Sequence, residues 1–493
     1  MTYKTTLILV LLLGILLLIA CQFCIPTLFG SDGYLHMRMA QFIRDKGPRY
    51  DFHWARYSVF ATHFSDKDFL YHVTLIPFTF LPNMIWAGKL SGCLWTLFLY
   101  LTFFWMLQRY CRVKVLIPVF LAMFLCSAPY LRDISQTRNM VVVMGLMLLF
   151  VHFLIQKKRL PLFITTVVYT LSHVSGPYLL LFAGLGELGR FINEREFQWK
   201  SLGVVALGLV TGFLIHPNFP NNFLIFYLNG VLVPIFALKW GLELGAEFFP
   251  IGTREFVLDY PFILIGVILL IALGASSKKK VGMASAVWLS VAAFFFVFSF
   301  FSQRYIVQGY PLMLIALASY ASDWWLAEER FISLQKNKGL LFSLYAGVVL
   351  LFALIGVRTF REFRNLTRIE QGYNHHFELV GAWMEKNIPA GETIFHANWS
   401  DSQYLIGLNP RDDYFVTLDP IYMYYRDPKK YNLYRDIAFG RCPDPYAALK
   451  NEFHVRYGYV DKAYFTGLIN QIRPDPRFFV MAEDGFGLVF MLK

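Results

Sequence analysis

The stretch LILVLLLGILLLIACQFCIPTLFGSDGYLHMR, residues 7–38, joins an apolar run of membrane-spanning length to a short polar segment. The apolar part has the look of a signal peptide, but many apolar runs follow it, so we expect an uncleaved first transmembrane helix. Directly after it stand Asp32, His36 and Arg38. Ionisable side chains at a membrane boundary cost free energy unless they are paired or used. The stretch therefore predicts a membrane protein with polar chemistry beside its first span.

The composition of the chain predicts a polytopic α-helical membrane protein. Of its 493 residues, 57% are hydrophobic and 16% are charged, whereas soluble domains carry roughly a quarter charged residues. Apolar runs recur along the chain and indicate about 11 to 13 transmembrane helices. The net charge of +12 is then explained by cytoplasmic loops, and nucleic-acid binding is not expected.

Basic clusters between the predicted spans indicate their orientation. These clusters lie at 109–114, 156–159, 189–200, 276–280 and 328–338. All of them fall on one side of the membrane if the amino terminus is cytoplasmic, as the positive-inside rule favours. With its short cytoplasmic loops, we expect the chain to be a multi-pass protein of a bacterial inner membrane.

This orientation defines two domains. Residues 1–357 form a transmembrane domain with a first outer loop at 25–84 and a long outer loop at 217–257, whose apolar run we interpret as re-entrant or interfacial. Residues 358–493 lack a run of spanning length and alternate helix-like patches with strand-like ones such as ETIFHA and GLVFML. We predict a small periplasmic α/β domain there.

The first outer loop carries the candidate catalytic residue, Asp32. It begins an amphipathic stretch whose Leu35, Met39, Phe42 and Ile43 share one helical face, which suits the membrane interface. Asp is also a favoured helix cap, so Asp32 either caps this helix or acts in catalysis, and the sequence leaves both roles open.

A candidate metal site follows in the same loop, in HFSDKDFLYH at 63–72. Asp66 and Asp68 form an Asp-x-Asp pair beside His63, and carboxylate oxygens suit Mg²⁺ or Mn²⁺. The alternatives are a solvated loop for the two acids and an interfacial or structural role for the histidines of this loop, His53, His63 and His72. A divalent cation is therefore a candidate cofactor.

Cations on the outer turns are candidates for binding an anion. Arg138 ends the turn APYLRDISQTR, which also carries Asp133, and Arg304 lies in FSQRY. Arginine on the outer side runs against the positive-inside bias, so we expect a phosphate or pyrophosphate partner that a guanidinium binds bidentately. The alternative is that both side chains extend to lipid headgroups.

This arrangement resembles the GT-C membrane glycosyltransferases, which use polyprenyl-phosphate-linked sugars. The acid in SDGYLHMR, the charged turn before the fourth span, the turn TLSHVSGP, the segment SQRYIVQGYP and the outer carboxy-terminal domain carry the resemblance. Within that class, residues 380–415 resemble the oligosaccharyltransferase catalytic subunit. Its Trp-Trp-Asp-Tyr-Gly motif, which reads the acceptor sequon, appears here as WSDSQ at 399–403, with one Trp and the Asp kept.

The resemblance implies roles for individual residues. Asp32 matches the acid that activates the acceptor, Asp133 takes the place of the second-loop carboxylate, and Arg304 would contact the donor phosphate. The full set expected to bind that phosphate consists of Arg138, Arg304, His36 and Arg38. By the same resemblance, Trp399 and Asp401 are expected to bind the acceptor.

We therefore expect transfer of a sugar from a polyprenyl-phosphate-linked donor to a lipid, glycan or protein acceptor on the outer face of the membrane. The rivals are a transporter or flippase for lipid-linked sugars, a ligase or polymerase of another fold, and a non-catalytic envelope glycan assembly factor. Transport pathways place ionisable residues at mid-bilayer depth. Here the acids collect on the outer side, which favours chemistry.

Overall fold

The chain divides into two compact units. A computed structural model describes residues 3–125, 127–237, 239–276, 281–325 and 338–493. The helical unit comprises Met1–Ile25, Gly92–Gly212 and Gly245–Arg368, and the sheet unit comprises Pro26–Ser91, Phe213–Leu244 and Ile369–Lys493. Most residues of the two basic clusters at 276–280 and 328–338 lie outside the described part of the chain.

Helices account for most of the described chain, because apolar runs of this length can satisfy their backbone groups only internally in a membrane. Up to the last apolar helix they are α1 (Tyr3–Gln22), α2 (Asp32–Lys46), α3 (Phe60–His63), α4 (Phe69–Leu75), α5 (Met84–Tyr110), α6 (Val113–Leu125), α7 (Ala128–Ile134), α8 (Asn139–Ile155), α9 (Arg159–Ser172), α10 (Tyr178–Glu194), α11 (Trp199–Ile215), α12 (Asn221–Phe226), α13 (Val233–Phe236), α14 (Thr253–Asp259), α15 (Pro261–Ser276), α16 (Met283–Ser299), α17 (Gln303–Trp325) and α18 (Lys338–Asn387). A 3₁₀ turn at Ile76–Phe80 follows α4, a π-helical turn at Tyr227–Leu232 joins α12 to α13, and a 3₁₀ turn at Ala246–Phe248 precedes α14.

Membrane-spanning length is reached by two helices among the described residues, Thr5–Gln22 and Met84–Tyr110. The number rises to four if each of two bent helix pairs counts as one span, namely Val115–Leu125 with Ala128–Ile134 and Thr253–Asp259 with Pro261–Ala272. Shorter apolar helices such as Asn139–Ile155 and Met283–Ser299 occupy other positions where we predicted spans. The helical membrane class is thus confirmed, and the total of 11 to 13 spans stays a prediction.

The sheet unit contains a five-stranded mixed sheet of order β2-β1-β3-β5-β4. Its strands are β1 (Thr393–His396), β2 (Asp413–Tyr414), β3 (Tyr457–Asp461), β4 (Phe478–Glu483) and β5 (Gly487–Leu492). β1 runs parallel to β2 and β3, whereas β5 runs antiparallel to β3 and β4. The helices around them are α19 (Asp401–Leu408), α20 (Ile421–Arg426), α21 (Pro428–Ala438), α22 (Pro445–Ala447) and α23 (Thr466–Ile472), and a π-helical turn at Ala448–Glu452 follows α22. The predicted carboxy-terminal α/β region is confirmed.

The first outer loop extends this sheet. Ala55 forms a parallel bridge with Tyr414 of β2, where the N–H of Tyr414 donates to the carbonyl of Trp54 at 2.7 Å and the N–H of Arg56 donates to the carbonyl of Tyr414 at 2.8 Å. Tyr57 continues the ladder by donating to the carbonyl of Phe415 at 3.0 Å. These bonds satisfy the backbone of a loop segment that has no strand partner nearby in sequence.

The domain boundary that we expected after residue 357 stays a prediction. That position falls inside the continuous helix α18, and the two compact units divide after Arg368. The first outer loop also belongs to the same unit as the carboxy-terminal segment. The physical reason is the ladder around Tyr414, because its hydrogen bonds join chain segments that are distant in sequence.

Candidate functional site

Asp32 lies in the first turn of α2, in the sheet unit. The N-cap residue of α2 is Ser31, and Asp32 is the first residue of the helix. Asp32 is half-buried. Its carboxylate stands where the partial positive charge of a helix N-terminus favours an anion. The first outer loop thus places a half-buried acid at the start of a helix.

The apolar face of α2 is buried in protein rather than presented to the membrane interface as we expected. Leu35, Met39, Phe42 and Ile43 are all buried. The ring of Phe42 stacks on Trp54 with 4.0 Å between centroids, and such aromatic pairs contribute about 1 kcal/mol beyond area burial. Packing on several sides fixes the orientation of α2, and with it the position of Asp32.

The N-terminal half of α2 packs against α19, the helix that begins at Asp401. The hydroxyl of Ser31 donates to the amide oxygen of Gln403. The guanidinium of Arg38 donates from Nε to the carbonyl of Gly407 at 2.9 Å and from Nη1 to Gln41 at 2.7 Å. The structure thus places Arg38, predicted to bind phosphate, as a brace between two helices. The WSDSQ motif and the loop acid lie on packed helices of one unit.

Three potential metal ligands converge beside α2. The nearest ligand atoms of His36, Asp68 and His72 all lie within 4.8 Å of one another. All three residues are nearly inaccessible to solvent, with exposed fractions of 4%, 1% and 2%. His36 Nδ1 lies 2.7 Å from His72 Nε2. The cluster brings together a residue predicted to bind phosphate, a predicted metal ligand and a histidine outside both sets.

Asp66 contacts this cluster through His72 and the backbone of Asp68. Its carboxylate accepts from His72 Nδ1 at 2.7 Å and from the backbone N–H of Asp68 at 3.0 Å. Burial acts to raise the pKa of Asp66, but the neighbouring His72 and these hydrogen bonds hold it below its usual value. His63, the third predicted metal ligand, is exposed, bonds to Thr62 and does not belong to the group.

The two residues predicted to bind the acceptor are Trp399, in the turn before α19, and Asp401, the first residue of α19. Trp399 is half-buried, whereas Asp401 is 1% exposed and its Oδ2 has no hydrogen-bond partner among the described residues. The hydroxyl of Tyr373 donates to Asp461 and lies 3.5 Å from Oδ1 of Asp401. Burial and the charge of Asp461 raise the pKa of Asp401 well above its usual value. Asp401 is therefore a buried acid that resists ionisation.

The helical unit holds the two predicted phosphate-binding arginines around one carboxylate. Glu247 lies 3.5 Å from Arg138 and 3.6 Å from Arg304, measured between guanidinium nitrogens and carboxylate oxygens. The guanidinium of Arg304 also lies 5.4 Å from the ring centroid of Phe248. The 3₁₀ turn that carries Glu247 is held by Ser302, whose hydroxyl donates to the carbonyl of Glu247 at 2.7 Å. The carboxylate of Glu247 thus lies in contact with both arginines.

Asp133 lies near the end of α7 in the same unit. Its carboxylate accepts from Arg132 at 3.2 Å and from the side-chain amide of Gln136 at 3.0 Å. With about a quarter of its side chain exposed, 26%, it remains accessible to a ligand. The turn that we predicted from APYLRDISQTR thus presents an acid and two arginines.

Sequence reasoning missed Glu247, and it interpreted His72 mainly as an interfacial or structural histidine. The signal for His72 was present, because Asp68 and His72 are four positions apart and such residues share a helix face. No local pattern marks Glu247, whose importance depends on two arginines from distant segments. The sheet unit by itself offers an acid at a helix N-terminus and a buried His/Asp cluster, and the helical unit by itself offers an arginine pair around a carboxylate.

No family model matches this sequence, and no curated protein matches it. Solved structures do match. The archaeal oligosaccharyltransferase AglB from Archaeoglobus fulgidus, in complex with an inhibitory peptide and a dolichol-phosphate, has a TM-score of 0.63 at 13% identity, over 99% of this chain and 74% of that one. ArnT from Cupriavidus metallidurans bound to undecaprenyl phosphate has a TM-score of 0.59 at 13% identity, over 99% and 98%.

A third match is the arabinofuranosyltransferase AftD from Mycobacteria, with a TM-score of 0.53 at 13% identity, over 100% of this chain and 42% of that one. All three are GT-C glycosyltransferases. At this level of identity the likeness concerns the fold. The resemblance that we inferred from the sequence is thereby confirmed, and the chain has the fold of the GT-C membrane glycosyltransferases.

Proposed function

We propose that this chain is an integral membrane glycosyltransferase that moves a sugar from a polyprenyl-phosphate-linked donor to a lipid, glycan or protein acceptor. The observation that carries the proposal is the match over nearly the whole chain to ArnT bound to undecaprenyl phosphate and to AglB bound to a dolichol-phosphate. Two features of the chain's own residues support it, the acid at the start of α2 and the arginine pair around Glu247.

Asp32 is the proposed base. In the reaction, the acceptor hydroxyl attacks the anomeric carbon, its O–H proton passes to the Asp32 carboxylate, and the bond between that carbon and the phosphate oxygen breaks. The electron pair of that bond remains on the phosphate. A base must lie within hydrogen-bond reach of the proton that it takes. The packing of α2 supports this role, because it fixes the carboxylate and leaves it half-accessible.

Arg138 and Arg304 are the proposed ligands of the donor phosphate. The transition state resembles an oxocarbenium ion, and negative charge develops on the departing phosphate. Guanidinium groups stabilise such charge when they are held in place beforehand. Their shared contact with Glu247 supports the role, because a carboxylate and a phosphate oxygen make the same kind of charge-assisted hydrogen bond. Asp133, on the turn before Arg138, is proposed as the second acid.

The acceptor is proposed to bind beside Trp399, at the start of α19. The contact between Ser31 and Gln403 supports this, since it joins the WSDSQ motif to the residue before Asp32. Asp401 is buried, so we propose that it supports the conformation of the motif and does not contact the acceptor. The motif keeps one Trp and the Asp of the oligosaccharyltransferase pattern. Peptide, glycan and lipid acceptors are therefore all candidates to be assayed.

Reconstitution with a radiolabelled polyprenyl-phosphate sugar tests the proposal. Wild-type protein in vesicles is expected to form labelled product, and Asp32→Asn to lower kcat by roughly 10²- to 10⁴-fold, as loss of a general base does. The matched control is Asp45→Asn, an exposed acid at the other end of α2 that pairs with Arg44. Wild-type activity in Asp32→Asn would contradict the base assignment. Bilayer crossing of the label without product would favour the transporter instead.

The orientation is part of the proposal. We propose a bacterial inner-membrane protein with a cytoplasmic amino terminus and with the sheet unit on the outer face, since a polyprenyl-linked sugar used there is presented at the membrane surface. Reporter fusions at the amino terminus and after Lys493 are expected to report cytoplasm and periplasm, respectively. A carboxy-terminal reporter active in the cytoplasm would place the sheet unit on the wrong side for this reaction.

A further inference from the structure

The buried histidines next to Asp32 point to a ligand that the transfer reaction does not require. His36 belongs to α2, His72 belongs to α4, and Asp68 is the N-cap residue of α4. The side chain of Asp68 makes no capping bond there, although Asp at this position usually does. It is instead grouped with the two imidazoles. Two segments separated in sequence thus direct three potential metal ligands to one point.

The balance of charge around this point favours a cation. Two carboxylates, Asp66 and Asp68, are buried together; Asp68 pairs with Lys67 at 2.9 Å, and Asp66 pairs with His72 at 2.7 Å. Burying a charge is costly unless it is paired or coordinates a metal. A cation bound by Asp68 and the two imidazoles would add a further partner to these buried carboxylates.

Asp66 orients His72 as the supporting residues of metal sites do. A carboxylate accepts hydrogen bonds, so the 2.7 Å contact to Asp66 places a hydrogen on Nδ1 of His72. The other nitrogen, Nε2, lies 2.7 Å from Nδ1 of His36 and is the one left to bind a metal. Asp66 is itself held in place, because its carbonyl lies 3.0 Å from His216 Nε2 and its N–H donates to Asn218 at 3.2 Å. Carboxylate–histidine pairs of this kind fix the tautomer of a metal-binding imidazole.

We propose that His36, Asp68 and His72 bind a divalent transition-metal ion of the zinc class, with Asp66 as the residue that positions His72. Two imidazoles and one carboxylate suit Zn²⁺, whereas Mg²⁺ and Ca²⁺ prefer oxygen ligands throughout. Three protein ligands leave a fourth position of a tetrahedral ion open. The proposal therefore changes both the ligands and the metal expected from the Asp-x-Asp pair. It stands independently of the proposed transfer reaction.

The ion would also act on the neighbouring acid. His36 and Asp32 are four positions apart on α2, so they lie on the same helical face about one turn, or roughly 5.4 Å, apart along the axis. A divalent charge at His36 stabilises the ionised form of a carboxylate at that distance. It also ties α2 to α4, which holds the first turn of α2 in place.

Metal analysis of the full chain tests the proposal without donor or acceptor, so its failure is distinct from failure of the transfer reaction. After purification in detergent without chelator and dialysis against Zn²⁺, wild-type protein is expected to retain about one zinc ion per chain. His36→Gln and His72→Gln are expected to lose it, and Asp66→Asn to weaken zinc binding by roughly 10- to 100-fold. The matched control is His63→Gln, an exposed histidine of the same loop, which is expected to bind zinc as wild type does.

A second measurement does not depend on the variants folding. X-ray absorption at the zinc edge of the wild-type protein is expected to show nitrogen and oxygen neighbours with imidazole scattering. Sulfur neighbours would place the ion at the cysteines and overturn the proposal. So would a zinc content no higher than that of the dialysis blank, or a monodisperse His36→Gln variant that keeps wild-type zinc.

Discussion

A carboxylate oxygen of Glu247 lies 3.5 Å from a guanidinium nitrogen of Arg138. The same carboxylate lies 3.6 Å from Arg304, so one side chain bridges two cations. All three side chains are partly exposed, and such pairs contribute at most about 1 kcal/mol each. Glu247 therefore occupies the arginine pair weakly, as a group that a phosphate can displace.

Replacing Glu247 with Gln is expected to tighten the binding of polyprenyl phosphate. The two arginines would lose the carboxylate that they share, and a gain of about 1 kcal/mol corresponds to roughly a fivefold lower Kd. The gain is expected at low ionic strength and to shrink as salt screens the arginines. Titration of the purified protein with labelled polyprenyl phosphate measures it.

The matched control for this prediction is Glu255→Gln in the same outer loop. The Glu255 carboxylate accepts from the N–H of Gly252 at 2.9 Å in a capping box, a role that Gln also performs. This variant removes one negative charge and is expected to leave the Kd unchanged. An unaltered or weakened affinity in Glu247→Gln would show that the carboxylate does not compete with the phosphate.

Gly407 is expected to be essential for the packing of α2 on α19. A Cβ atom at this position would lie 2.7 Å from the Cβ of Tyr34 and 2.8 Å from the carbonyl carbon of the same residue. A clash with backbone is not relieved by a rotamer change, so Gly407→Ala is expected to lower the free energy of unfolding by about 1–3 kcal/mol. Thermal unfolding of the purified chain measures the loss as a lower Tm.

Gly372 in α18 provides the comparison for Gly407. A Cβ there would meet the ring of Phe486 at 3.5 Å, an ordinary contact. Because Ala is the better helix former, Gly372→Ala is expected to keep or raise the Tm, by up to about 1 kcal/mol in the free energy of unfolding. A Gly407→Ala variant as stable as Gly372→Ala would mean that α2 and α19 move apart without loss of unfolding free energy.

Much of this architecture follows from local sequence patterns. Apolar runs such as 7–23 predict helices because few other structures satisfy the backbone in a membrane. The strands β1, β4 and β5 were visible as short apolar patches, since alternation and flanking turns are local properties. β3, the central strand YGYVD at Tyr457–Asp461, was missed because it contains a glycine and ends in an acid, which weaken a strand pattern.

The candidate site was predictable in its parts but not in its grouping. Asp32, Arg138 and Arg304 could be named as candidates because charge beside a span is unusual, and their roles stay predictions. The contacts of Arg38 with Gly407 and of His36 with His72 join segments that no local pattern connects. Their roles as brace and as potential ligand follow only from tertiary packing.

Asp401 is expected to be replaceable by Asn without loss of stability. Burial and the charge of Asp461 raise the pKa of Asp401 well above its usual value, so ionisation of this group opposes folding. The unfolded chain loses the proton above pH about 4, and the folded state therefore loses stability as pH rises past that point. Asn stays neutral, so Asp401→Asn is expected to raise the Tm at pH 8, with a gain that vanishes towards pH 4.

The control for Asp401 is its neighbour Asp461. Asp461 accepts from the N–H of Ala463 at 2.6 Å and from the hydroxyl of Tyr373, so Asp461→Asn is expected to lower the Tm. If Asp401→Asn destabilised the protein as much as Asp461→Asn, Asp401 would have to be charged in the folded state. Thermal unfolding of both variants between pH 4 and pH 8 separates these cases.

His396 is expected to make the sheet unit sensitive to acid. Its Nδ1 donates to the carbonyl of Asn398 at 2.8 Å, and its Nε2 accepts from the N–H of Phe415 at 3.1 Å. Both nitrogens of the neutral ring are therefore satisfied, and burial lowers the pKa of His396 to about 4. Protonation would direct a second N–H at the N–H of Phe415, an arrangement that the folded state resists.

The sign of the pH effect follows from the two states. The unfolded chain binds a proton at His396 near pH 6.5, whereas the folded state does so only near pH 4, so stability is full above pH 6.5 and falls as the pH drops between these values. The shift corresponds to about 3 kcal/mol. In thermal unfolding from pH 8 to pH 4.5, His396→Gln is expected to start from a lower Tm and to show a shallower fall than wild type, while the exposed control His63→Gln keeps the wild-type slope. Equal slopes for His396→Gln and wild type would assign the acid sensitivity to other groups.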